Sequence, residues 1–207
     1  VGADIDGEAS ADISGTTVSL SDDGSILAIG AANNDGNGIN SGQIRVYQNN
    51  GGSWLQIGSD IDGEAAGDNL GWSVSLSSDG TILASGAPNN DGTGEDIDCG
   101  HARVYENISN VWTQVGTDID GEGAVDLFGT TVSLSADGSI IAIGGYKNDG
   151  SFTDAGHARI YENISGVWTQ IGEDINGEAE TDYFGGSLSL NSAGNIVAIS
   201  AILNDGN

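Results

Sequence analysis

Trp72-Ser73-Val74-Ser75-Leu76-Ser77, then Ser78-Asp79-Gly80-Thr81, then Ile82-Leu83-Ala84-Ser85-Gly86-Ala87: this stretch decides the fold. The first segment alternates apolar with small polar residues, the period-two pattern of a half-buried strand. Asp79-Gly80 marks a tight hairpin turn, because glycine tolerates positive φ. The last segment is apolar or small throughout, as in a strand covered on both faces. A loop rich in Gly, Asn and Asp then runs from Pro88 to Gly100. His101-Ala102-Arg103-Val104-Tyr105 forms a third strand, with Ala102 and Val104 on one face and His101, Arg103 and Tyr105 on the other. A turn through Asn107 to Asn110 leads to a fourth, Val111-Trp112-Thr113-Gln114-Val115.

The unit repeats along the whole chain. Asp4-Ile5-Asp6-Gly7-Glu8 returns at Asp60-Ile61-Asp62-Gly63-Glu64, Asp118-Ile119-Asp120-Gly121-Glu122 and Asp174-Ile175-Asn176-Gly177-Glu178, at steps of 56, 58 and 56 residues. Tyr47, Tyr105 and Tyr161 keep the step, as do Trp54, Trp112 and Trp168. A fixed period of this length means one supersecondary unit stacked on copies of itself. Four short antiparallel strands per unit, with no helical period, predict an all-β fold: a β-propeller-type array of four-stranded blades. A linear β-solenoid is the runner-up, but its coils are shorter and need no three hairpins per repeat. Expected boundaries are an acidic connecting loop at 1–14, blade 1 at 15–58, a loop at 59–70, blade 2 at 71–116, a loop at 117–128, blade 3 at 129–172, a loop at 173–184 and half of blade 4 at 185–207. About three and a half blades make an incomplete ring, since propellers close with about four to eight. Stacked units leave an apolar face bare at each open end. The expectation is a segment of a longer repeat protein, with identical chains that complete one another as the alternative.

Phe128-Gly129 and Phe184-Gly185 open the first strand of two units. Gly86-Ala87-Pro88 closes the second strand of another, with Gly30-Ala31-Ala32 and Gly144-Gly145-Tyr146 at the equivalent places. With a Gly-led strand ending in Val-Tyr and then Trp, this order resembles the FG-GAP repeat family over the whole chain. The resemblance implies propeller blades like those of integrin α subunits and of microbial and algal surface proteins. Many integrin-type repeats hold calcium in an Asp-rich loop between the first two strands. Here that loop is only Ser21-Asp22-Asp23-Gly24, Ser77-Ser78-Asp79-Gly80, Ser135-Ala136-Asp137-Gly138 and Asn191-Ser192-Ala193-Gly194, too few ligands for a cage. The chain looks more like the shorter secreted microbial variants.

The chain carries 31 Asp and Glu against 4 Lys and Arg, a formal net charge of −27. Such a surface repels nucleic acid and anionic membrane, both of which need cationic side chains to neutralise phosphate. No apolar run approaches the roughly 20 residues that span a bilayer. There is no Met, so the sequence is expected to start after a processing or cloning cut. The single Cys99 cannot pair within the chain; a loop thiol without a role is one reading, and an interchain disulfide the other.

Candidate sites recur with the unit. Each acidic loop offers oxygens at alternating positions: Asp4, Asp6, Glu8 and Asp12; Asp60, Asp62, Glu64 and Asp68; Asp118, Asp120, Glu122 and Asp126; Asp174, Asn176, Glu178 and Asp182. Carboxylates spaced this way suit a hard cation such as Ca²⁺ as the cofactor. Equally, they suit a solvated loop whose Asp side chains cap its turns. Arg45, Arg103 and Arg159, each on one face with the following Tyr, are expected to form structural ion pairs that join blades, with a ligand-binding ring as the sharper alternative. Asn107-Ile108-Ser109 and Asn163-Ile164-Ser165 are glycosylation sequons at one exposed turn. His101 and His157 stand where the first unit has Gln43, which favours packing over ligation. Glu95, Asp96, Asp98, Cys99 and His101 cluster in one loop but lack the firm spacing of a zinc site.

No nucleophile elbow, phosphate-binding loop or HExxH is present, so no enzyme is expected. Near-identical blades argue against a unique active site, which needs different residues on different blades. The primary expectation is an extracellular, cell-surface structural or adhesive repeat module of a larger assembly. Its partners are further repeats of the same protein or identical chains. The alternative is a lectin-like or calcium-dependent receptor module whose partners are glycans or other surface proteins.

Overall fold

The computed structural model describes residues 2–92 and 97–206. Blade 1 holds β1 (Thr17–Leu20), β2 (Ile26–Ala31), β3 (Gln43–Asn50), β4 (Ser53–Gln56) and a short β5 (Ile61–Asp62). Blade 2 repeats this with β6 (Ser73–Leu76), β7 (Ile82–Ala87), β8 (His101–Ile108), β9 (Val111–Gln114) and β10 (Ile119–Asp120). Blade 3 follows with β11 (Thr131–Leu134), β12 (Ile140–Gly145), β13 (His157–Ile164), β14 (Val167–Gln170) and β15 (Ile175–Asn176). β16 (Phe184–Leu190) and β17 (Val197–Ala201) form half of a fourth. The first four strands of each blade are antiparallel and pair in sequence order, as hairpins dictate, and the short fifth strand pairs back onto the third. Among the described residues there is no helix, hence none able to cross a membrane.

Two details differ from expectation. The turn at Asp79-Gly80 is a five-residue loop rather than a tight hairpin. Ser77 Oγ accepts the Ile82 N–H at 2.9 Å and Asp79 Oδ1 accepts the Thr81 N–H at 3.0 Å. The Ser77 N–H still donates to Ile82 O at 2.9 Å, and the Thr81 N–H, with the hydroxyls of Thr81 and Ser77, pulls the Asp79 carboxyl below its usual range. The acidic loops are also not plain connections. Ile61 and Ile119 are buried, which draws the loop against the sheet. β5 therefore pairs with the start of β3 (Ile44 opposite Ile61), while β4 pairs with its far half (Tyr47 opposite Gln56).

The core lies between blades. Ile26, Ala28, Ile44 and Val46 of blade 1 pack on Val74, Leu76 and Tyr105 of blade 2. Val104 and Ile119 of blade 2 meet Val132, Leu134 and Tyr161 of blade 3 in the same way. Full burial of such side chains is worth about 1.5–3 kcal/mol each, so a blade gains its stability from its neighbours. Backbone bonds step across too. The Asp22 N–H donates to Ser78 O at 2.9 Å, Ser78 to Ala136 O at 2.8 Å and Ala136 to Ser192 O at 2.9 Å. Ser19, Ser75 and Ser133 each accept, through Oγ, an N–H of the next blade's first strand (Leu76, Leu134 and Leu190) at 2.9–3.0 Å.

The repeated glycines sit where blades approach most closely. A Cβ on Gly86 would overlap the carbonyl oxygen of Gly129, and Gly30 and Gly144 stand likewise against Gly71 and Gly185. The glycine that ends one blade's second strand thus touches the glycine that opens the next blade's first strand. Phe128, beside Gly129, is fully buried.

Candidate functional site

The repeated polar cluster lies where an acidic loop, a third strand and the following acidic loop meet. β8 alternates, so His101, Arg103 and Tyr105 share one face, and all three are buried. Arg103 bonds Asp118 in a fork, Nε to Oδ1 and Nη2 to Oδ2, both at 2.8 Å. Its Nη2 also bonds Glu64 of the preceding loop. Gln114 Nε2 donates to Asp118 Oδ1 at 2.7 Å. Blade 3 repeats the set: Arg159 bonds Asp174 (3.0 and 3.3 Å) and Glu122, and Gln170 donates to Asp174. In blade 1 the pattern is looser. Arg45 donates to the Asp6 carbonyl at 2.8 Å and lies 4.0 Å from Glu8.

Arg103 and Arg159 therefore each link the loop before their blade to the loop after it, the geometry expected of an ion pair that joins blades, whereas Arg45 reaches only the loop before blade 1. Burial opposes the charge on Arg103, and the bonds from Asp118 and Glu64 outweigh that and raise its pKa. Burial likewise pushes Asp118 up, and Arg103 outweighs it and holds the carboxyl low. Tyr105 is pushed up by burial.

The four oxygens of one loop do not gather around one point. Asp12, Asp68, Asp126 and Asp182 are buried, and each accepts a backbone N–H three residues earlier (Ala9, Ala65, Gly123, Ala179) at 3.0 Å. They also accept the side-chain amides of Asn34, Asn90, Asn148 and Asn204 at 2.8–3.0 Å. These carboxylates cap their own loop, and burial raises Asp68 and Asp126. Asp60, Asp118 and Asp174 turn toward the glutamines at the end of the fourth strand. Glu8, Glu64 and Glu122 turn toward the next arginine. Asp62 accepts from Gln43 at 3.2 Å. Asp120 borders the open cleft at Arg103 and is raised by burial and by Asp118. Asp4, Asp6, Asn176 and Glu178 are exposed. The donor set does not fit a single-loop calcium cage, which needs six to eight oxygens on one ion.

The structure does assemble two triads that single-loop reasoning missed. Glu64, His101 and Asp118 bring ligand atoms within 4.8 Å of one another, as do Glu122, His157 and Asp174. Glutamate and aspartate come from successive loops, so only the register of β8 between them could have signalled the meeting. The guanidinium of Arg103 bonds both carboxylates of the first triad, which gives that place its positive charge without a metal. His101 Nδ1 lies 3.8 Å from Asp118 Oδ2, beyond hydrogen-bond reach, and has no hydrogen-bond partner. Burial, then Arg103, lowers its pKa from 6.5 to about 4. His157, lowered chiefly by burial, packs edge-on against Phe128 with centroids 5.4 Å apart. Both imidazoles are neutral at pH 7. Gln43 at the equivalent place bonds Glu8 and Asp62, so this position serves packing and polarity.

Cys99 is buried, with Sγ 3.5 Å from the Asn90 carbonyl, so an interchain disulfide requires this loop to open. Of the loop cluster weighed for zinc, Glu95 and Asp96 lie outside the described residues. Asn107 and Asn163 are half-buried rather than exposed. Their Oδ1 atoms accept the N–H of Asn110 at 2.8 Å and of Gly166 at 2.7 Å, closing the turn, while Ile108, Ser109, Ile164 and Ser165 at its tip are exposed.

No protein-family model and no curated protein matches the chain. Solved structures do. Kuenenia stuttgartiensis hydrazine synthase is similar over 95% of this chain and 44% of its own, with a TM-score of 0.56 and 10% identity. KlAtg21, solved with the coiled coil of AgAtg16, is similar over 86% of this chain and 47% of its own (TM-score 0.55, 14% identity). Sqt1 of Saccharomyces cerevisiae is similar over 83% and 38% (TM-score 0.52, 10% identity). The chain spans less than half the length of each. The likeness concerns the fold: the chain is an all-β, β-propeller-type array of antiparallel blades.

Proposed function

We propose that this chain is a non-catalytic structural or adhesive repeat module of the FG-GAP type, part of an extracellular surface assembly. One observation carries the reading. The most distinctive side chains, Arg103 and Arg159, are spent on identical ion-pair links between successive loops. Chemistry that recurs blade by blade builds an array; a catalytic site needs unlike groups brought together once. The contact between the Gly86 and Gly129 backbones supports the FG-GAP assignment, because it gives both glycines of that motif a single reason to exist. The acidic surface suits a role away from nucleic acid and anionic lipid.

The test is a calcium titration read by thermal melting, followed by a glycan-binding screen of the purified chain. The structural reading expects neither a saturable calcium shift nor glycan binding. A glycan bound in proportion to blade number would replace it with a receptor module.

A further inference from the structure

We propose that Asn107 and Asn163 each carry an N-linked glycan whose first sugar lies in the cleft between two blades. The proposal rests on the extracellular reading, because the sugar is attached on a secretory route.

The turn that holds each sequon occurs three times, and the copies separate what the fold needs from what it does not. β3, β8 and β13 each pass to the next strand through two residues of positive φ: Gly51 and Gly52 (64° and 96°), Ser109 and Asn110 (56° and 65°), Ser165 and Gly166 (56° and 87°). Two such residues make the hairpin turn whose twist matches its strands. In all three copies an asparagine closes the turn. Asn49, Asn107 and Asn163 accept, through Oδ1, the N–H three residues on (Gly52, Asn110 and Gly166) at 2.7–2.8 Å.

The fold therefore explains the asparagines. It does not explain the serines. Left-handed backbone favours glycine, which blade 1 has, and strains a residue that carries a Cβ. Ser109 and Ser165 bear that strain at an exposed tip, and neither side chain makes a hydrogen bond among the described residues. A strained residue without a structural duty points to function. Each serine completes Asn-Ile-Ser, the acceptor motif for N-glycosylation, which stands nowhere else in this Asn-rich chain.

The nitrogen to be modified is left over by the turn. Oδ1 is committed, and Nδ2 of Asn107 and of Asn163 donates to nothing among the described residues. Asn107 lines a cleft of about 270 Å³ between blades 1 and 2, and Asn163 one of about 250 Å³ between blades 2 and 3. Each has room for one sugar ring. The walls correspond: Asp79 and Thr81 in the first cleft, Asp137 and Ser139 in the second. Asp79 and Asp137 use only Oδ1 in their own turns, which leaves Oδ2 to accept a sugar hydroxyl. In the transfer, Nδ2 bonds the anomeric carbon of a glycosyl diphosphate donor brought by a transferase. The carbon–oxygen bond to the diphosphate breaks, the diphosphate leaves with the electron pair, and one Nδ2 proton is lost. Both asparagines are half-buried, so the sugar is attached before the blades close on it.

The full chain is sent through the secretory route of cultured animal cells behind a cleavable signal peptide. The product is weighed intact before and after treatment with peptide N-glycosidase. Two glycans are expected, with Asn107 and Asn163 converted to aspartate by the release. Ser109→Gly and Ser165→Gly should each remove one glycan while keeping the turn that blade 1 already makes with glycine. Circular dichroism of the double variant made in a bacterial cytosol checks that its fold is kept. The glycosylated chain should melt at or above the double variant; a lower melting temperature overturns the seating in the cleft. A secreted, folded chain with both asparagines bare overturns the proposal and leaves the extracellular reading standing. A chain that folds in the cytosol but is retained unfolded on the secretory route overturns both.

Discussion

His101 makes a sharp prediction about acid. The residue is 1% exposed and faces Arg103, Asp118 and Glu64. In the unfolded chain it titrates near 6.5; in the folded chain, near 4. Between those values the unfolded state binds a proton that the folded state refuses. Stability is therefore fully present above the unfolded pKa and is lost as the pH falls through the window. Each tenfold weakening of proton binding is worth about 1.4 kcal/mol, and more than two such steps separate the folded from the unfolded imidazole, so the loss approaches about 3 kcal/mol. In a domain of this size that is a fall of roughly 6–12 °C in melting temperature. Asp68 and Asp126 have raised pKa values and act in the opposite direction as they take up protons. A difference measurement removes them. His101→Gln installs the residue that blade 1 already buries as Gln43. Urea unfolding of both proteins at steps from pH 7 to pH 4 should give curves that diverge, the parent losing about 3 kcal/mol more than the variant. Parallel curves would refute the reasoning, as would an NMR titration of His101 near its unperturbed value.

Three other outcomes follow from the blade contacts. Trp112→Ala and Trp168→Ala should each cost about 2–4 kcal/mol in chemical denaturation, because each removes a packed indole from a neighbouring blade; Trp54→Ala, at the open end of blade 1, should cost less than about 1 kcal/mol. Gly86→Ala should destabilise by more than about 3 kcal/mol and expose dye-binding surface, since its methyl meets the Gly129 carbonyl; a variant that melts with the parent would rule out that close approach. Arg103→Met should cost about 1–3 kcal/mol, discounted because Glu64 and Asp118 are half-open to water. A double-mutant cycle with Glu64→Gln should show coupling between the two, and additivity would dismiss the link.

The blades were legible in sequence because two signals agreed. Alternation in Ser73–Leu76 and the unbroken run Ile82–Ala87 set strand type, and the period set how the units stack. The acidic loops were less legible. Spacing alone put Asp60, Asp62, Glu64 and Asp68 near one another, but the partners that separate them come from elsewhere: Gln56, Gln43, Arg103 and Asn90. A carboxylate goes to the donor that a strand's register brings near, and that register is a tertiary fact. The glycosylation turn shows the same limit. The tip of the turn is exposed, yet the Asn107 side chain bends back to close it.

The bonds from Asp22 to Ser78, Ser78 to Ala136 and Ala136 to Ser192 all run the same way, each donor meeting an acceptor one period later. These bonds by themselves set no blade number; the curvature at which a propeller closes does. Duplicating or deleting one whole period leaves every junction intact, whereas shifting by a few residues breaks all of them at once. Evolution can therefore change the number of units by recombination far more easily than it can change the unit.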